Sequence, residues 1–308
     1  MKEKQVITVQ SLRKQYGSVA AVDGMSFRVK AGEIFGMVGP NGAGKTTAIE
    51  CIEGLRTPDS GDVRVLGMDP HRNRQALHRR IGVQLQESSL PSRIKVREAL
   101  DLFASFYPKA LDRREMEARL GLGASRDVAY TKLSGGQKQR LFIGLALIHN
   151  PELVFLDELT TGLDPQARRA MWNLVQRIRD QGKTVFLSTH FMEEAETLCE
   201  RVAIVDCGQI VALNTPDKLI RDLGADSRIT VAVDSLPAEV KEEVTLLAGV
   251  TRMECSENRL IVFGKGGSLV ADVVRALTEK GVGIRDLRIE QPNLEDVFLA
   301  LTGRTMRD

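Results

Sequence analysis

Gly39-Pro40-Asn41-Gly42-Ala43-Gly44-Lys45-Thr46 is the stretch that most limits what this chain can become. It fits G-x-x-x-x-G-K-[ST], directly follows the apolar run Ile34 to Val38, and precedes Ala48-Ile49, where an apolar helix can start. An ordinary glycine turn would account for the loop but not for a strand before it and a helix after it. In that setting the glycines let backbone N–H groups close around phosphate oxygens and the helix offers its positive end. Lys45 reaches the outer phosphates and Thr46 can ligate a magnesium ion. Gly39, Asn41, Gly42, Gly44, Lys45, Thr46 and Thr47 are therefore the candidate phosphate contacts.

The surrounding pattern agrees with an α/β fold. Val6 to Val9, Met25 to Val29 and Glu33 to Val38 read as strands, and Pro58-Asp59-Ser60-Gly61 is a turn before Val63, Val65 and Leu66 resume strand character. From about Ile94 to Ile148 the chain turns helical, with Val96, Leu100, Phe103, Ala104 and Tyr107 on one face. Strand signals return at Leu153 to Leu156, Thr184 to Ser188 and Arg201 to Val205, separated by helical Gln166 to Asp180 and Glu193 to Glu200. Such alternation predicts a mainly parallel sheet covered by helices. Beyond Leu223 the order is strand, helix, strand, strand, helix, strand, with Asn293 able to cap a last helix through Leu301. That is the ferredoxin-like arrangement. The expected domains are 1–222, with a helical subdomain at about 87–150, and 223–308.

Composition excludes some roles. With 43 basic and 41 acidic side chains the net charge is +2, so no global field draws the chain to nucleic acid. The longest apolar run, Leu141 to Ile148, is far short of the about 18 residues a spanning helix needs. No apolar segment follows the basic start, so a secretory signal is not expected and the chain should stay in the cytosol. Cys51, Cys199, Cys207 and Cys255 form no Cys-x-x-Cys pair and are expected to be structural thiols. His71, His78 and His149 lie in no comparable motif and are expected to be structural or solvated.

A phosphate loop alone does not separate a kinase from a GTPase or a transport ATPase. Leu133-Ser134-Gly135-Gly136-Gln137 does more, since average composition yields it by chance in roughly one chain in several thousand. Ser134, Gly135, Gly136 and Gln137 open an apolar helix through Ile148, where a hydroxyl and free N–H groups make a second anion site. The segment resembles the signature of the ATP-binding cassette (ABC) family. Leu153 to Glu158 resembles that family's Walker B strand, in which Asp157 would hold Mg²⁺, usually through water, and Glu158 would polarise the attacking water. Leu159 stands where the family usually has Pro, just before Gly162-Leu163-Asp164, which resembles the D-loop.

His190 resembles the switch histidine that contacts the γ-phosphate. Gln86 resembles the Q-loop glutamine on Mg²⁺, with Gln84 close enough to compete. Tyr16 resembles the aromatic that stacks on adenine, although a tyrosine near a strand end also serves as packing. Pro292 to Leu299 resembles a C-terminal segment of ATP-binding subunits from bacterial drug and antibiotic exporters.

The resemblance implies a P-loop NTPase core with an antiparallel β-subdomain and a helical subdomain, ATP and Mg²⁺ as cofactors, and catalytic roles for Lys45, Glu158 and His190. In the family two nucleotide-binding domains meet head to tail, each ATP lying between the P-loop of one and the signature of the other. A second copy and separately encoded transmembrane permease subunits are the implied partners, at the inner face of the cell membrane. The helical block from Gln86 to about Tyr107 would pass motion to the permease, or its Phe103 and Tyr107 are simply core. The other function expected of such a chain is a soluble ABC ATPase on ribosomes or DNA. The domain at 223–308 would be regulatory or dimerising.

Overall fold

A computed structural model describes residues 4–84, 89–256 and 258–305. In chain order its elements are β1 (Gln5–Tyr16), β2 (Val19–Lys30), β3 (Ile34–Val38), α1 (Lys45–Glu53), β4 (Ser60–Val65), α2 (Arg74–His78), β5 (Ile81–Gln84), α3 (Val96–Ser105), α4 (Arg113–Arg119) and α5 (Gly135–Leu147). There follow β6 (Leu153–Asp157), α6 (Pro165–Asp180), β7 (Thr184–Thr189), α7 (Met192–Leu198), β8 (Arg201–Asp206), β9 (Gln209–Asn214) and α8 (Pro216–Leu223). The chain divides into two compact units inside α8. Lys218–Ala300 forms the second, and the described residues on either side of it form the first.

In the first unit a six-stranded sheet runs β5-β6-β7-β3-β8-β9, parallel except for β9, which pairs antiparallel with β8. Strands β3, β6 and β7 are buried at every position, as their unbroken apolar runs require when helices cover both faces. Register stacks phenylalanines across them: Phe35 pairs with Phe186 and Phe186 with Phe155. Their ring centres lie 5.4 and 5.5 Å apart, and Phe27 of β2 stacks on Phe35 at 5.4 Å. An antiparallel sheet of order β2-β1-β4 packs into this same core.

The middle block is helical as its period predicts. Val96, Ala99 and Leu100 of α3 are fully buried, while Phe103 and Tyr107 are half-buried. Tyr107 stacks at 4.1 Å on His149, whose Nε2 lies 2.9 Å from the Ile81 carbonyl. Phe103 and Tyr107 also line a cleft of about 490 Å³ with Leu55, Val83, Gln84 and Phe142. Cys51 and Cys199 are buried thiols and Cys207 and Cys255 exposed ones, all free.

The second unit contains β10 (Ser227–Val233), α9 (Ala238–Thr245), β11 (Val250–Ser256), β12 (Arg259–Gly264), α10 (Leu269–Glu279) and β13 (Ile284–Glu290), followed by α11 (Leu294–Thr302). Its antiparallel sheet has the order β11-β12-β10-β13, the ferredoxin-like topology. Ile229, Val231, Val233, Leu260 and Val262 pack beneath Val273 and Leu277 as a separate core. The Asn293 carboxamide oxygen accepts from the Glu295 and Asp296 N–H groups at 2.8 and 3.1 Å, capping α11 as its sequence predicts. No helix of the described residues is long and apolar enough to cross a membrane.

Candidate functional site

Register assembles the site at the carboxyl ends of the parallel strands. Val38 pairs with Thr189, and Asp157 with Ser188, so the loop after β3, the acids ending β6 and the histidine after β7 converge. The loop has little freedom to be anything but glycine at two positions. A Cβ on Gly39 would meet the Val205 carbonyl oxygen at 2.2 Å. One on Gly44 would meet that of Ala21 at 2.0 Å, and Gly44 itself adopts φ +98°. α1 then starts with no side-chain cap, leaving its first N–H groups for an anion.

Lys45 is 5% exposed, and its Nζ donates to the Gly39 and Pro40 carbonyls at 2.7 and 3.0 Å. Nζ also lies 3.9 Å from Glu158 Oε1. Burial pulls its pKa below the ordinary lysine value, opposed by the Glu158 and Asp157 charges. Burial likewise raises the Asp157 carboxyl, and the Glu158 charge adds to the rise, while hydrogen bonds from Ser188 and Thr46 lower it. Asp157 and Thr46 therefore share one oxygen-rich corner.

Glu158 adopts φ +50°, in the left-handed region that a non-glycine residue enters at a cost of order 1–3 kcal/mol. The turn carries its carboxylate to a fixed place. Thr161 Oγ1 donates to Glu158 Oε2 at 3.1 Å, and His190 Nδ1 stands 3.1 Å from the same oxygen. Leu159 is 2% exposed, and the residues after it form an ordered turn that ends with Asp164 capping α6 through the Ala167 N–H at 2.9 Å.

Ser134 lies elsewhere on the unit. It caps α5 in a reciprocal box, its hydroxyl accepting from the Gln137 N–H at 3.3 Å and its own N–H donating to Gln137 Oε1 at 2.9 Å. A Cβ on Gly135 would lie 3.5 Å from Leu163, and one on Gly136 3.4 Å from Ala167. Gly135 and Gly136 thus pack on Leu163 and the start of α6. Tyr16 ends β1, 41% exposed, with the Arg56 guanidinium 5.2 Å from its ring centre. Gln86 lies outside the described residues, and its competitor Gln84 is buried at the end of β5.

Sequence reasoning missed Thr161 and Ser188. Thr161 carries a faint signal, three residues beyond an acid in a turn. Ser188 carries none, because its link to Asp157 depends on which strands are neighbours.

The family model for ABC transporters matches residues 22–161. Among curated proteins, the Nod factor export ATP-binding protein I of Ralstonia nicotianae is 39% identical over 98% of this chain and 95% of its own length. The linearmycin resistance ATP-binding protein of Bacillus subtilis is 34% identical over 98% and 100%. An ATP-binding subunit of an ABC transporter superposes with a TM-score of 0.63 at 29% identity, covering 71% of this chain and 93% of that one. A dimeric bacterial ABC transporter cassette gives 0.60 at 25%, covering 68% and 98%. With the phosphate loop, the two acids and the signature in one unit and relatives matched end to end, the chain belongs to the ABC transporter family as an ATP-binding, ATP-hydrolysing subunit.

Proposed function

We propose that this subunit powers separately encoded membrane permease subunits that export a drug or other small molecule, working from the inner face of the cell membrane as a head-to-tail pair of copies. The observation that carries hydrolysis is the Glu158 carboxylate, held by Thr161 with Lys45 Nζ and His190 Nδ1 beside it. The export direction rests on the two relatives, which are named for Nod factor export and linearmycin resistance. A ribosome- or DNA-acting ATPase is not favoured.

In this reading Gly39, Asn41, Gly42, Gly44, Lys45, Thr46 and Thr47 hold the phosphates, and Tyr16 stacks on adenine. Ser134, Gly135, Gly136 and Gln137 close the site from the second copy. The hard oxygens of Thr46 and Asp157 suit Mg²⁺, with Gln86 as a third contact. The ion, when bound, offsets charge on the phosphates. Lys45 neutralises the outer phosphate, Glu158 accepts a proton from the attacking water and His190 steadies the same region. The cleft by Phe103 and Tyr107 receives a permease helix. Residues 223–308 form a regulatory or dimerisation domain.

The test is the subunit reconstituted with its permease in vesicles. Glu158→Gln should lower steady-state hydrolysis at least about a hundredfold and stop efflux while ATP still binds. Phe103→Ala should lower efflux more than hydrolysis. Hydrolysis persisting in Glu158→Gln, or efflux untouched by Phe103→Ala, would overturn the corresponding part.

A further inference from the structure

Glu194 on α7 belongs to none of the family motifs above, yet it is 1% exposed in the unit's interior. Its Oε1 accepts from Trp172 Nε1 of α6 at 2.9 Å. The hydroxyls of Thr189 and Thr160 also lie against this carboxylate, each lowering its pKa against the larger rise imposed by burial. Thr160, 0% exposed, precedes Thr161, which donates to Glu158 Oε2. Thr189 precedes His190, whose Nδ1 stands 3.1 Å from that same oxygen, and its own Oγ1 accepts from the Phe191 N–H at 3.0 Å. One buried carboxylate therefore stands behind both groups that flank the Glu158 carboxylate.

The cluster is incomplete. Glu194 Oε2 and the Thr160 hydroxyl are both buried and neither meets a partner in full hydrogen-bond geometry. Two buried orphans, one a donor and one an acceptor, are costly unless some state of the protein joins them. A carboxylate kept here for packing alone would be replaceable by an apolar side chain of similar size.

We propose that Glu194 is a positioning residue for ATP hydrolysis: by tying Thr160 and Thr189 to α6 it holds Thr161 and His190, and through them the Glu158 carboxylate, in the arrangement from which water is activated. The proposal rests on Glu158 being the hydrolytic group. It further requires that the Glu194–Thr160 contact closes in the hydrolytic state, which couples the turn leading into the D-loop to the switch histidine.

The experiment measures kcat, and ATP affinity by equilibrium binding, on the full chain with Glu194→Ala, Glu194→Gln, Thr160→Val, the Glu194→Ala/Thr160→Val double variant and Glu158→Gln. Misplacing a reacting group by about an ångström costs up to about a hundredfold, so Glu194→Ala should lose about ten- to a hundredfold in kcat with ATP affinity changed less than about threefold. Thr160→Val should show part of the loss, and the double variant should be no slower than Glu194→Ala alone. Glu194→Gln, whose amide oxygen still accepts from Trp172, should recover most of the rate.

A purely structural role would move the melting temperature and ATP affinity together with the rate, or make the two losses additive, and either result overturns the proposal. If Glu158→Gln abolishes hydrolysis while Glu194→Ala leaves kcat within about twofold of the parent, the positioning role alone fails. If Glu158→Gln still hydrolyses ATP, the reading of Glu158 fails and takes this proposal with it. Should Glu194→Ala not fold, Thr160→Val and Thr189→Val decide, and unchanged kcat in both overturns the role.

Discussion

Glu53 shows at the scale of one residue what this site demands of its surroundings. It ends α1, 1% exposed, with Oε2 lacking a partner. Burial lifts its carboxyl well above the ordinary 4.5, and the nearby Asp157 and Glu50 charges add to the lift. The folded state therefore keeps this proton to higher pH than the unfolded chain does. Its contribution to stability is whole below about 4.5 and is lost as pH rises toward the folded pKa, at about 1.4 kcal/mol for each unit separating the two. Glu53→Gln removes the titration and keeps the shape. Its melting temperature should match the parent near pH 4 and exceed it by a margin that grows from pH 5 to pH 6 and levels off above the folded pKa. Parallel curves across that range would mean that the carboxyl is not held neutral. At this scale Lys45, Asp157, Glu158 and His190 are legible in the sequence because the acids and the histidine close strands of recognisable pattern and the lysine follows one through a glycine loop. Thr161, Ser188 and Glu194 are not, because hydrogen bonds across strands and between helices leave no periodic trace.

The elements were more legible than their neighbours. Apolar runs at Ile34–Val38, Leu153–Asp157 and Thr184–Thr189 mark buried strands, yet nothing in them says that β3 lies between β7 and β8. β9 escapes a pattern search because its residues are half-buried or exposed, and a chain with so few aromatics hides where they meet. They meet in one row, Phe35, Phe186 and Phe155 on adjacent strands, directly beneath the loop and the two acids. Phe186 is fully buried at its centre. Replacing it with Ala removes a ring from a packed row that cannot collapse evenly, at a cost of about 3–5 kcal/mol. Trp172, the only tryptophan, lies in the same unit, so urea unfolding followed by its fluorescence isolates that unit's transition. A loss below about 1 kcal/mol would show that the row does not bear the sheet's stability.

At the scale of the whole molecule each chain has one phosphate loop and one signature, and the two are not one site. Lys45 gathers Glu158 and the turn beside it, while Gly135 and Gly136 lie against Leu163 and Ala167. Ser134 uses its hydroxyl as an acceptor to cap its own helix and keeps the hydroxyl proton to donate elsewhere. In the proposed head-to-tail pair, a nucleotide on the phosphate loop meets one chain's lysine and takes its second anion site from the other copy. Two copies placed head to tail give each nucleotide both halves, and the binding energy of two shared ligands then drives association. Hydrolysis would dissolve that pair as fast as it forms, so the pair must be trapped. Glu158→Gln with Mg-ATP should scatter light as twice 34.0 kDa, and as 34.0 kDa without nucleotide. Ser134→Ala in the same background should weaken the pair at equal nucleotide binding, as the proposed head-to-tail pairing requires of a hydroxyl that meets the partner's nucleotide and not its own. A mass that stays at 34.0 kDa with ATP bound would mean that closure needs the permease to bring the copies together.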